Sequence, residues 1–157
     1  MPPRAIIRGN TPGSVRLRFD QPGDAGDYPF THRLRVRFCE TDAMGVVHHA
    51  SYFAYLEETR VEYLRALGRP YDRLRAEGIE FPVVEAAMRY RRPLRFDDVV
   101  DIRVRVASAG GATFQMSYVL DSAGVERATG VTVHGVVDGR GRPTRVPAWL
   151  RELVPAG

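Results

Sequence analysis

Hydrophobic and polar residues alternate in five segments of the chain, and each of these segments is predicted to form a β-strand. Residues 33–39 show the pattern clearly, because Leu34, Val36 and Phe38 alternate with arginines. Such a strand buries one face and leaves the other in water. The same alternation returns in residues 83–91, 99–107, 113–120 and 125–138. In the last of these segments the apolar side is predicted to carry Val131, Val133 and Val137.

Between the first strand and the others, residues 50–67 have the period of one long α-helix. Residues 50–56 contain no charged side chain, so this end of the helix should be buried on all sides. The second half is amphipathic, with Glu58, Glu62 and Arg65 on one face and Leu56, Tyr63 and Leu67 on the other. Gly68 is expected to end this helix, and residues 71–77 to form a short helix that ends at Gly78.

The order of one strand, one long helix and a series of further strands predicts an α+β fold. Turn sequences at residues 108–111 and 121–124 join neighbouring strands as hairpins, which makes the sheet antiparallel. A sheet with one apolar side should wrap around the central helix, in a domain of residues 31–157. Residues 1–30 are rich in proline, glycine and aspartate and are interpreted as an N-terminal extension, either a mobile arm or an added edge strand at residues 15–19.

Composition narrows the classes of function. The chain has 157 residues, 23 basic residues that are all arginine, and a formal net charge of +4. Acidic residues are interspersed among the arginines and no helix has a basic stripe, which argues against a nucleic-acid partner. The lack of lysine excludes a catalytic lysine and a Walker-type phosphate lysine. One cysteine excludes an internal disulfide framework, and no apolar run is long enough for a membrane span, so we expect a cytoplasmic protein.

The residues that point to a reaction lie between the first strand and the long helix. Asp42 precedes His49 by seven residues, and the helical pattern starts only after His49. This distance is too long for Asp42 to be the N-cap of the helix. The N-terminus of a helix offers backbone N–H groups without intrahelical partners and about half a positive charge. An ionised carboxylate that faces such amides can act on a carbonyl group, and Gly45 allows the loop between them to bend.

The run ETDAMGVVHHASY at residues 40–52 is followed by Glu57, Arg60, Glu62, Leu64 and Leu67. This pattern resembles the signature of the hotdog-fold acyl-CoA thioesterases, in the 4-hydroxybenzoyl-CoA thioesterase family and its branch associated with the Tol-Pal system. The resemblance implies a hotdog fold and hydrolysis of an acyl-CoA substrate to a free acid and CoA, without a metal or a redox cofactor. It implies that Asp42 is the catalytic carboxylate, as nucleophile or as general base, and that the backbone N–H of His49 polarises the thioester carbonyl. Some relatives have a tyrosine at the position of Phe38, so that hydroxyl contact is missing here.

Further residues are expected to contact the substrate. They are Gly45, Val46, His48, Tyr52, Glu57, Arg89 and Arg91, and the arginines are assigned to the CoA phosphates together with Arg92, Arg95, Arg140 and Arg142. In a sister hotdog branch the catalytic carboxylate comes from the helix near the position of Glu57, which makes that residue the alternative catalytic acid. The acyl pocket has Tyr52, Phe53, Met88, Phe114 and Met116 as candidates, although these side chains also suit an ordinary core.

Other reactive side chains in the sequence are interpreted as structural. His48 and His49 are adjacent, so their side chains should diverge, and no His-x-x-x-His spacing indicates a metal site. Cys39 has no visible base partner, and His134 on a predicted strand is interpreted as a hydrogen-bonded structural histidine.

A single hotdog domain leaves one edge of its sheet open, so a homodimer or a homotetramer is expected, with Asp42 and the helix start facing the partner chain. Three alternatives to an enzyme of this type stay open. A non-catalytic acyl-CoA binding or sensing module usually carries a DNA-binding segment, for which residues 1–30 are too short. A hotdog dehydratase or hydratase needs a His–Asp pair that the sequence does not place, and a purely structural partner protein is the last alternative.

Overall fold

The computed structural model describes residues 18–19 and 25–156. Its elements in chain order are β1 (Phe30–Arg35), α1 (Ser51–Ala66), α2 (Tyr71–Ala76), β2 (Val83–Tyr90), β3 (Val99–Gly110), β4 (Thr113–Ser122), β5 (Val125–Gly135) and α3 (Ala148–Arg151). Short 3-10 turns lie on either side of β1, at Ala25–Asp27 and Phe38–Glu40. The strands form one five-stranded antiparallel sheet in the order β1-β3-β4-β5-β2. Within this part of the chain, no helix has the length and apolar character that a membrane span requires.

The core lies between α1 and the inner face of the sheet. The inner side chains of β3 and β4 are at most 2% exposed: Val100, Ile102, Val104, Val106, Phe114, Met116, Tyr118 and Leu120. The helix contributes Tyr52, Tyr55, Leu56, Tyr63 and Leu64. Each large apolar side chain buried in this way stabilises the fold by roughly 1.5–3 kcal/mol. The predicted α+β architecture, with an antiparallel sheet on one long central helix, is therefore confirmed.

The predicted ends of both helices are confirmed to within a residue or two. Gly68 follows α1 with a φ of 69°, and Gly78 follows α2 with a φ of 75°. This left-handed region of the backbone is open to glycine without steric cost, so each glycine reverses the chain at the end of its helix.

The first strand is displaced from its predicted position. It begins at Phe30 and ends at Arg35, and Phe38 starts the following 3-10 turn with 75% of its surface exposed. The reason is local, because the side chain of Glu40 accepts a hydrogen bond from the Arg37 amide at 2.8 Å and closes the turn. The alternation of residues 33–39 therefore predicts the strand but wrongly places Phe38 in the core.

The predicted inner face of β5 is wrong. Residues paired with the inner side chains of β4 are Ala128, Gly130, Thr132 and His134, so Val131 and Val133 lie on the outer face. A Cβ atom at Gly130 would lie 2.6 Å from Met88 Sδ and 2.8 Å from Leu56 Cδ1, which shows how closely α1 approaches this strand. Val137 lies beyond the strand, in isolated bridges. Because β5 is buried on both faces, hydrophobicity does not distinguish its inner side.

The start of α1 is buried on one side only, which corrects the prediction of a helix end buried all round. Tyr52 and Tyr55 face the core, whereas Phe53 is 37% exposed and Ala54 is also exposed. The uncharged first turn of α1 therefore has two sides, one packed in the core and one that forms an apolar patch on the surface of the single chain.

The N-terminal segment contacts the outer face of the sheet where it is described. The Arg18 amide donates to Gln115 Oε1 at 2.9 Å, and Gln115 Nε2 donates to the Arg18 carbonyl at 2.7 Å. Phe19 lies under the guanidinium of Arg89, and the ring of Tyr28 lies beneath Arg103. Most of the predicted edge strand at residues 15–19 lies outside the described residues, and residues 18–19 have no strand structure.

A chain of hydrogen bonds crosses the inner side of the sheet around His134, which is fully buried. His134 Nδ1 lies 3.3 Å from the Phe81 carbonyl and must donate to it. Burial lowers the pKa of His134 and keeps the ring neutral, so His134 Nε2 accepts from the Thr132 hydroxyl at 2.8 Å. The Tyr118 hydroxyl then donates to Thr132 Oγ1 at 3.1 Å. This arrangement needs a neutral imidazole, in agreement with the interpretation of His134 as a structural histidine.

We predict that His134 makes the fold less stable in mild acid. Burial, with a smaller effect of the Arg60 cation, lowers the pKa of His134 from 6.5 to about 3. In the unfolded chain the His134 imidazole therefore binds a proton below about pH 6.5, whereas in the folded chain it does so only below about pH 3. The contribution of the neutral His134 to the free energy of unfolding is complete above about pH 6.5 and decreases between pH 6.5 and pH 3. At pH 5 the loss is about 2 kcal/mol.

Urea unfolding at a series of pH values measures this effect, with His134→Gln as the matched variant without an imidazole. The free energy of unfolding of the parent should fall more steeply between about pH 7 and pH 5 than that of the variant. Equal slopes for the two proteins would show that His134 does not carry the effect.

Candidate functional site

The loop between β1 and α1 is a closed turn at residues 41–47. Thr41 and Val47 form an isolated antiparallel bridge, and the Asp42 amide donates to the Val46 carbonyl at 2.8 Å. The Gly45 amide donates to the Asp42 carbonyl at 2.9 Å, and the φ of Gly45 is 75°. Gly45 therefore acts through the backbone conformation of the turn and not as part of the cavity wall.

The side chain of Asp42 is half-buried and fixed through one of its two oxygens. Its Oδ1 accepts a hydrogen bond from the Met44 amide at 2.8 Å, which is an Asx turn and not an N-cap of α1. Among the described residues, no donor is bonded to Oδ2. The carboxylate is thus oriented by the loop while one oxygen stays available to another molecule.

The backbone directly before α1 leaves the His49 amide without a hydrogen-bond acceptor among the described residues. The His48 amide donates to the Glu40 carbonyl at 2.8 Å, and the Ala50 amide donates to His48 Nδ1 at 3.1 Å. In residues 18–19 and 25–156, no acceptor takes the N–H of His49. The carbonyl of His49, by contrast, accepts a hydrogen bond from the Tyr90 hydroxyl at 2.9 Å, which ties the helix start to the end of β2.

Asp42 and His49 line the same cavity, which has a volume of about 300 Å³. Its walls are Asp42, Met44, Val46, Val47, His49, Tyr52, Tyr90, Arg91, Arg92 and Pro93. The structure therefore brings together six of the predicted site residues, which are Asp42, Val46, His49, Tyr52, Arg91 and Arg92. The lining of the cavity thus combines an acidic residue, a residue directly before a helix and two arginines with apolar side chains.

Other predicted site residues lie outside this cavity. Glu57 is exposed on α1 and its carboxylate lies 3.8 Å from Arg60, and the Arg89 guanidinium lies over Phe19 on the outer side of the sheet. The side chain of His48 bonds the helix start. Two of the proposed acyl-pocket residues, Phe114 and Met116, belong to the closed core.

The arginines proposed for the phosphates also divide into two groups. Arg92 lines the cavity beside Arg91, whereas Arg95, Arg140 and Arg142 do not. The amides of Arg140 and Arg142 donate to Asp138 Oδ1, in the turn that follows β5. Of the arginines proposed for the phosphates, Arg91 and Arg92, directly after β2, are therefore the two that line the cavity.

Tyr90 is the main site residue that sequence reasoning missed. It ends β2, its hydroxyl donates to the His49 carbonyl, and its ring packs edge-on against Tyr52 with ring centroids 4.9 Å apart. Burial raises the pKa of the Tyr52 hydroxyl and also that of Tyr90. Both phenols are therefore protonated hydrogen-bond donors at neutral pH.

The histidines of the loop do not diverge as expected. The rings of His48 and His49 stack with centroids 4.2 Å apart. Over the part of the chain that the structure describes, no group of three or more His, Cys, Asp and Glu side chains has the arrangement of a metal site. Cys39 is exposed in the 3-10 turn that follows β1.

Comparison with known proteins agrees with the geometry. Residues 36–154 match the family model of the Thioesterase-like superfamily. An acyl-CoA thioesterase of Haemophilus influenzae, YbgC, is 33% identical over 128 residues, which are 80% of this chain and 93% of that protein.

Two solved structures extend the likeness to three dimensions. A hypothetical protein of Aquifex aeolicus has a TM-score of 0.76 and 37% identity, over 81% of this chain and all of that one. A gentisyl-coenzyme A thioesterase has a TM-score of 0.72 and 28% identity, over 78% of this chain and 99% of that one. The expected hotdog fold is confirmed by these neighbours together with the sheet and helix described above.

Proposed function

The chain belongs to the Thioesterase-like superfamily and is a thioester hydrolase, and we propose that it cleaves acyl-CoA with Asp42 as the catalytic carboxylate and the His49 amide as the donor to the carbonyl. One observation carries the proposal. Asp42 and His49 line one cavity, and each presents an atom, Oδ2 and the backbone N–H, that no described residue bonds.

The His49 amide supplies the electrostatic part of the mechanism. When a nucleophile attacks a thioester, the carbonyl oxygen becomes an oxyanion, and a fixed N–H at the positive end of a helix stabilises it. One donor of this kind typically lowers the barrier by roughly 2.7–4 kcal/mol. Tyr90 contributes indirectly, since its hydroxyl holds the carbonyl of the same residue.

Asp42 supplies the nucleophilic part, by one of two routes. In the first, Oδ2 attacks the thioester carbon, CoA leaves as the thiolate, and water hydrolyses the acyl-aspartyl anhydride. In the second, Oδ2 takes a proton from a water molecule that attacks the same carbon, and the thiolate receives a proton as it leaves. The Asx turn with Met44 orients the carboxylate for either route.

Arg91 and Arg92 are proposed to bind the phosphates of CoA. They line the cavity directly after β2. The carboxylate of Glu126 is a neighbour of Arg91, but its Oε1 lies 3.9 Å from Arg91 Nε, too far for a close ion pair. The acyl-CoA specificity of the Haemophilus influenzae relative and the gentisyl-CoA specificity of the structural neighbour support a CoA ester as substrate. The run at residues 40–52 further suggests the Tol-Pal-associated branch of the 4-hydroxybenzoyl-CoA thioesterases as the subfamily.

A homodimer through β2 is proposed as the working form. This strand is an edge of the sheet, and Val84 is 56% exposed on it. An open, apolar edge strand is a template for pairing with another chain. The cavity lies at the end of the same strand, so that a partner on this edge faces the helix start and Asp42. Two such dimers can form a tetramer.

We predict that Asp42→Asn abolishes most of the turnover, because an amide can neither attack a thioester nor accept the proton of water. The kcat for release of CoA thiol should fall roughly 100-fold to 10,000-fold. The assay compares acetyl-, medium-chain, long-chain and benzoyl-type CoA esters. Asp72→Asn, which changes an exposed aspartate on α2, is the matched control and should keep the parental kcat.

The possible outcomes of this assay separate the functions. Parental kcat in Asp42→Asn would reject the role of Asp42. Binding of CoA esters by the parent without release of thiol would instead identify an acyl-CoA sensing module.

Tyr90→Phe should lower kcat about tenfold with little change of KM, because the lost hydroxyl frees the His49 carbonyl and the oxyanion donor loses its fixed direction. Steady-state kinetics on the best ester measures both constants. A raised KM with parental kcat would mean that Tyr90 contributes to substrate binding alone, and would contradict the positioning role.

The dimer is tested by light scattering on a gel-filtration column. We expect the parent to elute with twice the monomer mass, and Val84→Lys to shift the population to monomer, because a charge on the edge strand opposes pairing. Thr31→Lys on the opposite edge strand, β1, is the control and should leave the dimer intact. If the parent were a fully active monomer, the proposal of a homodimer through β2 as the working form would be refuted.

A further inference from the structure

Glu40 carries a carboxylate that is 13% exposed and fully bonded, although it does not line the cavity. The Tyr55 hydroxyl donates to Glu40 Oε2 at 2.6 Å, and the Arg37 amide donates to the same oxygen at 2.8 Å. Arg37 Nε donates to Oε1 at 2.8 Å. Three donors from two chain segments therefore converge on one side chain.

The negative charge of the Glu40 carboxylate strengthens its hydrogen bond with the Tyr55 hydroxyl. Burial alone would raise the pKa of Glu40, but the hydrogen bonds from Tyr55 and Arg37 outweigh it and hold the pKa below its usual range. Burial, and after it the bond to Glu40, raises the pKa of the Tyr55 hydroxyl far above its usual range. At neutral pH the pair is thus a phenol that donates to a carboxylate, which is among the stronger hydrogen bonds in proteins.

The backbone of Glu40 connects this contact to both parts of the site. Glu40 precedes Asp42 by two residues. Its carbonyl accepts the His48 amide at 2.8 Å, directly before His49, and the Ser51 hydroxyl at 3.4 Å. The Glu40 side chain is fixed to the body of α1 at Tyr55, while its main chain holds the loop on one side and the helix start on the other.

We propose that Glu40, held by Tyr55 and Arg37, is a positioning residue that sets the distance and direction between the Asp42 carboxylate and the His49 amide. This inference rests on the proposed thioesterase function. Neither Glu40 nor Tyr55 lines the cavity, so their effect on Asp42 and His49 is transmitted through the backbone. A displacement of about 1 Å between reacting groups is enough to cost about 100-fold in rate.

The fold does not depend on the Tyr55 hydroxyl in the same way. The ring of Tyr55 is buried in the core with Leu56, so we expect it to stay packed when only the hydroxyl is removed. Arg37 reaches Glu40 from an exposed side chain and adds little to the core. The contact is therefore suited to orient the loop more than to stabilise the domain.

Tyr55→Phe tests the proposal on the full chain with the CoA ester that the parent cleaves fastest. We expect kcat to fall about 10-fold to 100-fold while KM changes less than about threefold, since the cavity wall is unchanged. The matched control is Tyr63→Phe, on the same helix, because the buried Tyr63 hydroxyl has no hydrogen-bond partner among the described residues. This control should keep the parental kcat.

A second variant keeps the test valid if Tyr55→Phe is poorly folded. Glu40→Gln keeps the shape of the side chain and removes its charge, so it should lower kcat in the same way. In the double variant the Tyr55→Phe change should have little further effect, since the two residues act through one contact. Additive losses would show that they act separately and would overturn the proposal.

The results also distinguish this inference from the proposed function. If the parent cleaves no CoA ester, the thioesterase assignment fails and the positioning role falls with it. If the parent is active and Asp42→Asn inactive, but folded Tyr55→Phe and Glu40→Gln keep the parental kcat and only melt at lower temperature, the contact is merely structural and this inference alone is refuted.

Discussion

The close approach of α1 to β5 is the contact on which the rest of the structure depends. Gly130 leaves no room for a side chain, because Leu56 and Met88 fill the space where its Cβ would stand. The helix α1 can therefore pack at a short distance from the sheet, and its first residues lie near the end of β2. There the Tyr90 hydroxyl bonds the His49 carbonyl. The geometry of the cavity thus depends on a packing constraint on the core-facing side of the helix, where Leu56 meets Gly130.

Hydrogen bonds then divide the backbone groups around the helix start into fixed and free ones. The His48 amide is bonded to Glu40 and the Ala50 amide to His48 Nδ1, while no described residue takes the His49 amide between them. A buried N–H without a partner is costly, but one that opens into a cavity can be satisfied by water or by a substrate oxygen. The same division is found in Asp42, where Oδ1 closes the turn and no described residue donates to Oδ2. In the proposed mechanism, structure and reaction would therefore use different atoms of the same two residues.

The sequence predicts the parts of this arrangement that depend on local pattern. The strands β3 and β4 are predicted correctly, since each alternates between an apolar buried face and a more polar face. The pairing of Asp42 with His49 follows from the family resemblance of residues 40–52, and both residues line one cavity. The faces of β5 are not predictable in this way, because Val131 and Val133 are buried on the outer side while small and polar residues meet the helix. Tyr90 and Glu40 were missed as site residues for a related reason. Their roles arise from partners 41 and 15 residues away, which no local pattern shows.

Tyr90 also links the cavity to the open edge of the sheet. It ends β2, the strand at one edge, and its ring lies against Tyr52 on the cavity wall. A chain that pairs with β2 continues the sheet as far as this residue and limits its movement, and the hydroxyl of Tyr90 transmits that restraint to His49. Burial of the ring by a partner would also remove water that competes for the His49 amide, which strengthens an amide-to-oxyanion bond in a medium of low dielectric constant. In the proposed dimer and mechanism, association at the edge and stabilisation of the oxyanion would thus be coupled through the side chain of Tyr90.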